Sequence, residues 1–288
     1  MNEMSWTGSQ WVAVGGVAVL GTLALYAVID GFPVRRGDTT INSTERAAEL
    51  SKQGKREQVI TYTTGMTPLD RSGKEPASLY VIGVSQFTLG EAEQIEPSRY
   101  APRGSYRGFN GNSSWSLYGE PPDNYSVSGP FNNLLIFDAQ AASSEKVFGT
   151  RISISEFVVL GDTKPSLLAI FAASIDTNRD DRLDGDDLQE LYIFTPSGRS
   201  LHKVELPGAS AESIVKVPGV SYLVIQAAID KNKDGSITSR SEGRNEIEPR
   251  YLYRVDLTSF AAIHLVPNEL TRSLQDTLDG ASLAPGAK

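Results

Sequence analysis

The sequence predicts a mostly β protein, in which an N-terminal transmembrane helix is followed by an antiparallel β repeat domain. Short runs rich in β-branched and aromatic residues recur between Gly, Pro, Asn and Asp, which is typical of antiparallel strands and turns. One strand motif occurs three times, and residues 11–29 carry no charge. We therefore predict an anchor over 1–30, a linker over 31–57, the β repeat domain over 58–266, and a short helix and tail over 267–288.

The uncharged stretch is long enough to cross a membrane. As an α-helix, its 19 residues would span about 28 Å, close to the roughly 30 Å hydrocarbon core. Trp11 and Tyr26 fall near its ends, where aromatic side chains favour the membrane interface. A cleaved signal peptide is the alternative, but the first ten residues contain no Lys or Arg and residues 24–27 make a poor cleavage site. We predict an uncleaved, single-pass anchor.

Nine apolar runs in the β domain are predicted to be strands, because each is short, rich in β-formers and bounded by turn residues. They cover 59–63, 79–84, 134–137, 157–160, 167–171, 191–194, 214–217, 223–225 and 252–255.

The strand motif that recurs predicts internal repeats. Its first leucine is found at intervals of 57 and 61 positions, at Leu134, Leu191 and Leu252. Each copy lies between two other apolar runs, which indicates four antiparallel strands per unit, the layout of a propeller blade. Three units are fewer than the roughly four to eight blades of a closed propeller, so an open array, a truncated propeller and half of an oligomeric propeller stay open. The units cover about 58–155, 156–212 and 213–266.

The first unit contains an insertion, residues 88–132, which is rich in Gly, Pro, Ser, Asn and aromatic residues. A loop of this length is usually functional, and exposed aromatic side chains suit contact with a protein partner. The alternative is a loop that packs its aromatic residues on its own sheet. Residues 44–52 have the pattern of a short helix or a linker, with Asn42 or Ser43 as a possible cap. A short amphipathic helix is predicted over 268–278, with leucines along one face.

The most specific chemical signal is an acidic loop over residues 176–187. Oxygen-bearing side chains occupy its positions 1, 3 and 5, an apolar residue occupies position 8, and a carboxylate occupies position 12. Ca²⁺ takes about six to eight oxygen ligands, which this spacing supplies from one short loop. The expected ligands are Asp176, Asn178, Asp180, the carbonyl of Arg182, and Asp187, with Asp184 acting through water.

A second loop begins at Asp230 with the same spacing. Its expected ligands are Asp230, Asn232, Asp234 and the carbonyl of Ser236. Position 12 is Ser241, a poor ligand, so we expect Glu242 to close the site, with Glu246 and Glu248 as alternatives. Each loop has one defect: the first carries Asp181 where a glycine normally makes the turn, and the second lacks its closing carboxylate.

At these positions both loops resemble the calcium-binding loops of EF-hand and dockerin proteins. The resemblance covers about 13 residues per loop and implies that Asp176, Asn178, Asp180, Arg182 and Asp187 bind Ca²⁺. The paired helices of that family are not expected, because the flanking segments have the pattern of strands. We predict calcium loops placed in β-hairpins. A metal-free turn is the alternative, since Asp, Asn and Gly favour turns in any case.

Composition narrows the range of functions. The net charge of −8 argues against nucleic acid as a partner. The absence of cysteine excludes disulfides, thiolate metal sites and a cysteine nucleophile. Only His202 and His264 are present, and both fall in expected strands, which argues against a histidine-based active site.

Two signals disagree about orientation. Arg35 and Arg36 follow the anchor, and the positive-inside rule would keep the β domain in the cytoplasm. Imperfect calcium loops, however, need Ca²⁺ at about 10⁻⁴–10⁻³ M, which is found outside the cytosol. We give the second signal more weight and expect an extracytoplasmic β domain.

The pattern as a whole predicts a membrane-anchored, non-enzymatic protein in which Ca²⁺ is mainly structural, such as an accessory subunit of a membrane complex. Its partner would bind the insertion 88–132 or the small-residue face of the anchor, at Gly15, Gly16 and Gly21. A calcium-responsive regulator of a membrane partner and a Ca²⁺-dependent hydrolase are the alternatives. We find no phosphate-binding loop or nucleophile motif for an enzyme.

Overall fold

The structure is a computed structural model that describes residues 40–69, 78–94, 124–161, 166–217, 219–237 and 248–280. Several predicted features lie outside these residues: the anchor over 11–29, residues 31–39 of the linker, most of the insertion, Ser241, Glu242, Glu246 and the C-terminal tail. Within the described part of the chain, no helix has the length and apolar character needed to cross a membrane.

The described residues confirm a mostly antiparallel β fold. All nine predicted strands overlap observed ones, and both predicted short helices are present. The strands are β1 (Ile41–Asn42), β2 (Lys55–Pro68), β3 (Leu79–Gln94), β4 (Asn124–Phe131), β5 (Asn133–Asp138), β6 (Ser143–Lys146), β7 (Ser153–Leu160), β8 (Leu167–Ala173), β9 (Arg182–Leu183), β10 (Glu190–Thr195), β11 (Ser200–Val204), β12 (Ala209–Lys216), β13 (Tyr222–Ile229), β14 (Arg250–Asp256) and β15 (Ala262–His264). The helices are α1 (Thr44–Lys52) and α2 (Asn268–Leu278).

Three larger sheets account for most of these strands. The first sheet has the strand order β2-β3-β5-β6, the central sheet β11-β10-β8-β7-β4, and the third sheet β12-β13-β14-β15. Neighbouring strands are antiparallel in every pair. A separate two-stranded sheet joins β1 to β9. All of these sheets belong to one compact unit.

Strand β8 explains why the sheets stack. Every one of its seven residues is buried, so it is covered on both faces. Leu168, Ile170 and Ala172 belong to a core shared with the first sheet. The alternate residues Leu167, Ala169 and Phe171 belong to a second core, shared with the third sheet. The central sheet therefore lies between the other two.

The predicted insertion is not a loop along its whole length, which corrects the interpretation of residues 88–132. Strand β3 continues to Gln94, and β4 pairs with β7 in the central sheet. The pairing of β4 shifts register between Ser128 and Phe131, where Gly129 and Pro130 interrupt the strand pattern in the sequence. Phe131 is nonetheless buried, and its ring lies 5.7 Å from that of Phe157.

The three copies of the strand motif lie in the third strands of the predicted units, β5, β10 and β14. Leu134 and Leu191 are fully buried, as their alignment predicts. Leu252 is 40% exposed, however, while its neighbour Tyr253 is buried. The third copy is thus shifted by one residue, and a shift of one residue moves a side chain to the opposite face of a strand.

The two helices differ in their packing. Ser43 caps α1, because its hydroxyl accepts the backbone N–H of Arg46. Leu50 is buried and packs α1 against the body of the domain. Helix α2 has no buried residue, and its leucines remain exposed at Leu270, Leu274 and Leu278.

The shifted motif can be tested by two matched substitutions. Leu191→Ala should lower the free energy of unfolding by about 2–5 kcal/mol, because it leaves a cavity in the core. Leu252→Ala, at the aligned position in the third sheet, should lower it by less than about 1 kcal/mol. Denaturant unfolding of the full chain measures both. Equal losses would contradict the shift.

Candidate metal centre

The first acidic loop connects β8 to β10 and is shaped by its own carboxylates. The carboxylate of Asp176 accepts the backbone N–H groups of Arg179 at 2.6 Å and Asp181 at 3.0 Å. The side chain of Asn178 accepts from the N–H of Asp180, and Asp180 accepts from Arg182, both at 3.0 Å. These bonds fold residues 176–182 into a tight turn that is held by its own side chains.

The second loop connects β13 to β14 and repeats this framework bond for bond. Asp230 accepts from the N–H groups of Lys233 at 2.6 Å and Gly235 at 3.0 Å. Asn232 accepts from Asp234, and Asp234 accepts from Ser236, both at 3.0 Å. The two loops thus share one backbone conformation, as their common spacing predicts.

Left-handed backbone conformations occur at the same two positions of each loop. Position 4 has a φ of 60° at Arg179 and 62° at Lys233. Position 6 has a φ of 64° at Asp181 and 81° at Gly235. The first loop therefore makes its turn without a glycine, using a residue type that tolerates this region better than most.

The two loops pack directly against each other. The hydroxyl of Thr177 donates to the carbonyl of Gly235 at 2.5 Å and accepts the N–H of Leu188 at 2.9 Å. A Cβ atom on Gly235 would lie only 1.9 Å from the carbonyl oxygen of Thr177. Gly235 is therefore required by the contact between the loops as well as by its backbone conformation, whereas Asp181 is exposed.

A third carboxylate joins the second loop from beyond residues 238–247. Ligand atoms of Asp230, Asp234 and Glu248 all lie within 4.8 Å of one another. Glu248 is only 3% exposed. Among the described residues this is the one cluster of at least three acidic, His or Cys side chains with that spacing. Glu248 was one of the alternatives for closing this loop; Glu242 lies outside the described residues.

Asp187, at position 12 of the first loop, lies in the hydrogen-bond framework that closes the loop. One carboxylate oxygen accepts the N–H of Thr177 at 2.7 Å, and the other accepts the N–H of Asp184 at 3.0 Å. Burial raises the pKa of Asp187, although these backbone N–H groups act in the opposite direction. Asp187 thus ties the start of the loop to its end.

Position 8 and position 9 of the first loop contact the N-terminal part of the domain. Leu183 is buried and lies in β9, which pairs with β1. Asp184 is buried as well; its carboxylate accepts the N–H of Asp186 at 3.0 Å and the hydroxyl of Thr40 at 3.2 Å.

Gln189 supports the first loop, which the sequence pattern did not indicate. Its side-chain amide donates to the carbonyl of Asp187 at 3.0 Å, and its side-chain oxygen accepts the hydroxyl of Ser155 at 3.0 Å. Its backbone N–H donates to the hydroxyl of Ser210 in β12 at 2.8 Å. Gln189 therefore links the first loop to two sheets. Thr177 was not predicted either, because both residues lie outside the positions that the calcium-loop pattern assigns to ligands.

Glu190 anchors the base of the first loop. Its carboxylate accepts hydrogen bonds from Ser174 at 2.6 Å, Tyr192 at 2.5 Å and Lys203 at 2.6 Å. Burial by itself would raise the pKa of Glu190, but these three hydrogen bonds outweigh burial and lower it. Burial and the bond to Glu190 raise the pKa of Tyr192 to about 12.

Both loops line one polar cleft with a volume of about 650 Å³. Asn178 and Asp180 enter it from the first loop, and Asp234 and Ser236 enter it from the second. Arg250, which also lines the cleft, is paired with Glu212 by two hydrogen bonds of 2.7 and 2.8 Å. An ion from solvent can reach either loop through this cleft.

Charge differs between the two loops. Residues 176–187 contain six Asp and two Arg, a net charge of −4, whereas residues 230–237 contain two Asp and two Lys.

The histidines are not part of either loop: His202 stacks on Phe260 at 4.4 Å, and the ring of His264 lies 4.5 Å from that of Tyr253.

No protein-family model matches this chain, and no curated protein matches it in sequence. Among solved structures, the crystal structure of the N-terminal domain of Nup159 aligns with 78% of this chain at 12% sequence identity and a TM-score of 0.16. The alignment covers 64% of that chain. A similarity this low carries no argument about fold or function.

The packing of the loops predicts an asymmetry between their sixth positions. Gly235→Ala should lower the free energy of unfolding by about 2–4 kcal/mol, because it adds strain and a clash with Thr177. Gly219→Ala is the matched control, since Gly219 also has a positive φ of 78° but no atom within 4 Å of the added Cβ. It should lose only about 1 kcal/mol. Thermal unfolding of the three proteins measures the difference, and equal losses would show that the loops do not pack this way.

The Glu190 network predicts a dependence of stability on pH. Because the pKa of Glu190 is lowered in the folded state, its contribution is present above the ordinary carboxyl value of 4.5 and is lost as the pH falls below it. Glu190→Gln should therefore cost about 1–2 kcal/mol at pH 7 and less in acid. Unfolding curves of both proteins, collected from neutral to acidic pH, should converge. A constant gap would contradict the assignment.

Proposed function

We propose that this protein is a membrane-anchored, calcium-binding β-domain protein without catalytic activity, in which Ca²⁺ mainly stiffens the loops that join the strands. The observation that carries the proposal is that two separate loops, in two sheets, hold their Asp and Asn side chains by the same hydrogen bonds to backbone N–H groups. A metal-free turn needs no such repetition of ligand spacing, whereas two calcium sites do.

In the second loop we propose Asp230, Asn232, Asp234, the carbonyl of Ser236 and Glu248 as ligands. Glu248 takes the closing role that the sequence first suggested for Glu242. Three carboxylates within 4.8 Å of one another repel, and one of them is buried. A divalent cation among them would turn this repulsion into attraction.

In the first loop we propose Asp176, Asn178, Asp180 and the carbonyl of Arg182 as ligands, with Asp184 acting through water. Asp187 closes the loop in one of two ways. It either binds the ion directly or, as its bonds to Thr177 and Asp184 favour, holds the ends of the loop together around the other ligands.

A structural role for the ion follows from where the loops lie. Both join strands of stacked sheets, and in the described residues neither is flanked by a pair of helices that could open on binding, as calcium sensors do. Binding to the folded state alone would add stability. We further propose that the three sheets are blade-like units of an open, propeller-like array. Each contains four antiparallel strands that follow one another in chain order, although β4, which lies between β3 and β5 in sequence, joins the central sheet as a fifth strand.

The remaining parts of the proposal concern location. We propose that residues 11–29 anchor the protein in a membrane and that the β domain is extracytoplasmic, where millimolar Ca²⁺ would fill sites of modest affinity. The body would then serve as an accessory or interaction subunit. A calcium-responsive regulator is the second candidate, and it is favoured by the pairing of the first loop with residues 41–42, which follow the proposed anchor in the sequence.

Calorimetric titration of the full chain in detergent tests the calcium proposal. We expect two sites with dissociation constants of about 10⁻⁴–10⁻³ M, and about 2.7 kcal/mol of added stability per site at a hundredfold excess over the dissociation constant. Asp176→Ala should remove one site and Asp230→Ala the other. Glu248→Gln should weaken the second site about tenfold or more, because it removes one ligand charge.

Asp256→Asn is the matched control for these variants. Asp256 also shapes a turn by accepting backbone N–H groups, from Thr258 and Ser259, but it lies at the end of β14, outside both acidic loops. It should leave both sites unchanged. Absence of binding at millimolar Ca²⁺ would refute the proposal, and unchanged binding by Glu248→Gln would refute the role of Glu248.

A further inference from the structure

We infer that Ca²⁺ in the first loop regulates how firmly residues 40–43 are attached to the β domain, so that the ion acts as a clip for the segment that follows the proposed anchor. The inference rests on the proposed function, because it requires Ca²⁺ in the first loop. It goes further by giving that site a role that the second loop does not share.

The first observation is a direct pairing between the loop and the segment. Strand β1 pairs antiparallel with β9, with Ile41 opposite Leu183 and Asn42 opposite Arg182. Arg182 and Leu183 are positions 7 and 8 of the acidic loop. The proposed carbonyl ligand of the loop therefore belongs to one of the two residues that pair with the N-terminal segment.

Side chains add to this pairing. Ile41 and Leu183 are 8% and 7% exposed, and they form a small core of their own with Ala173, apart from the two larger cores. The hydroxyl of Thr40 donates to the carboxylate of Asp184, at position 9 of the loop. Three consecutive residues of the segment thus contact three consecutive residues of the loop.

Other contacts hold the segment to the body without the loop. The backbone carbonyl of Thr40 accepts the side-chain amides of Gln58 at 2.9 Å and Gln86 at 3.4 Å. Arg151 donates to the carbonyls of Asn42 and of Ser43. Because these contacts involve no loop residue, Ca²⁺ would strengthen an existing attachment and would not create it.

Electrostatics explain how the ion would act. The first loop has a net charge of −4, so its carboxylates repel one another while the site is empty. A bound cation removes this repulsion and draws the Arg182 carbonyl inward, which restricts β9 to the conformation that pairs with β1. The second loop makes no such contact with the N-terminal segment in the described residues, because β1 pairs there with β9 of the first loop alone.

Linkage makes the effect reciprocal. If Ca²⁺ strengthens the attachment of the segment by a given factor, then the attached segment must strengthen Ca²⁺ binding by the same factor. A substitution in residues 40–43 should therefore change the Ca²⁺ affinity of the first loop, although the segment provides no ligand to that site.

Hydrogen exchange of the full chain in detergent tests the clip. With Ca²⁺ at ten times the dissociation constant of the first site, amides of residues 40–43 should exchange about tenfold more slowly than in EDTA. Asp180→Asn keeps the oxygen that accepts the Arg182 N–H but removes one charge, so the slowing should disappear. Asp234→Asn makes the same change in the second loop and should keep the slowing.

Calorimetry of the same samples separates the two proposals. If both sites bind Ca²⁺ but exchange at 40–43 does not change, the clip is refuted and the calcium proposal survives. If Asp180→Asn removes binding at the first site yet the slowing persists, the clip is refuted as well. If no site binds Ca²⁺, both proposals fail.

The reciprocal arm uses the segment itself. Ile41→Ser should weaken the first site by about the factor seen in exchange and leave the second site unchanged. Ile263→Ser, at a residue that is 50% exposed in β15, is the matched control and should alter neither site. Equal affinity in Ile41→Ser and the unmodified protein would overturn the inference.

Discussion

The fold depends on the burial of β8 on both of its faces. A strand covered on one side needs one partner layer, but a strand of seven buried residues needs two. The first and third sheets supply these layers, and their stacking on the central sheet determines which connections become neighbours. The turn after β8 and the turn after β13 both follow the second strand of a predicted unit, and they meet at Thr177 and Gly235. The acidic loops are thus adjacent because of a hydrophobic constraint that involves none of their own polar residues.

Within this frame, each loop solves the same conformational problem under a different restriction. The first loop is exposed at its sixth position, where Asp181 adopts a left-handed conformation at modest energetic cost. The second loop has the backbone of Thr177 against its sixth position, so only glycine fits. In the first loop, Asp187 accepts backbone N–H groups from both ends of the loop, while Glu248 approaches the second loop from beyond residues 238–247. The two departures from the ideal pattern therefore have separate causes, and neither alters the hydrogen bonds that the two loops share.

Local sequence patterns were sufficient for the nine predicted strands, for the bounds of α1 and for the conformation of the loops, because each of these depends on residues within a few positions of one another. Pairings between distant segments could not be predicted in this way. Strand β4 is interrupted by Gly129 and Pro130 and joins a sheet other than that of its neighbours in sequence. Strands β1 and β9 have two residues each, too few to show any period. The shift at Leu252, the approach of Glu248 and the contacts of Gln189 likewise arise from packing, which spacing along the chain does not record.

The bond between Thr40 and Asp184 joins residues 144 positions apart. Closing a loop of that length is entropically unfavourable until the intervening sheets have formed, so this contact belongs to the late part of folding. During synthesis, the segment that carries Thr40 and Ile41 leaves the ribosome early and must wait for β8 and the loop after it. The junction between the β domain and everything N-terminal to it is therefore complete only after β9 has been made, although Gln58, Gln86 and Arg151 hold the same segment by bonds that involve no loop residue.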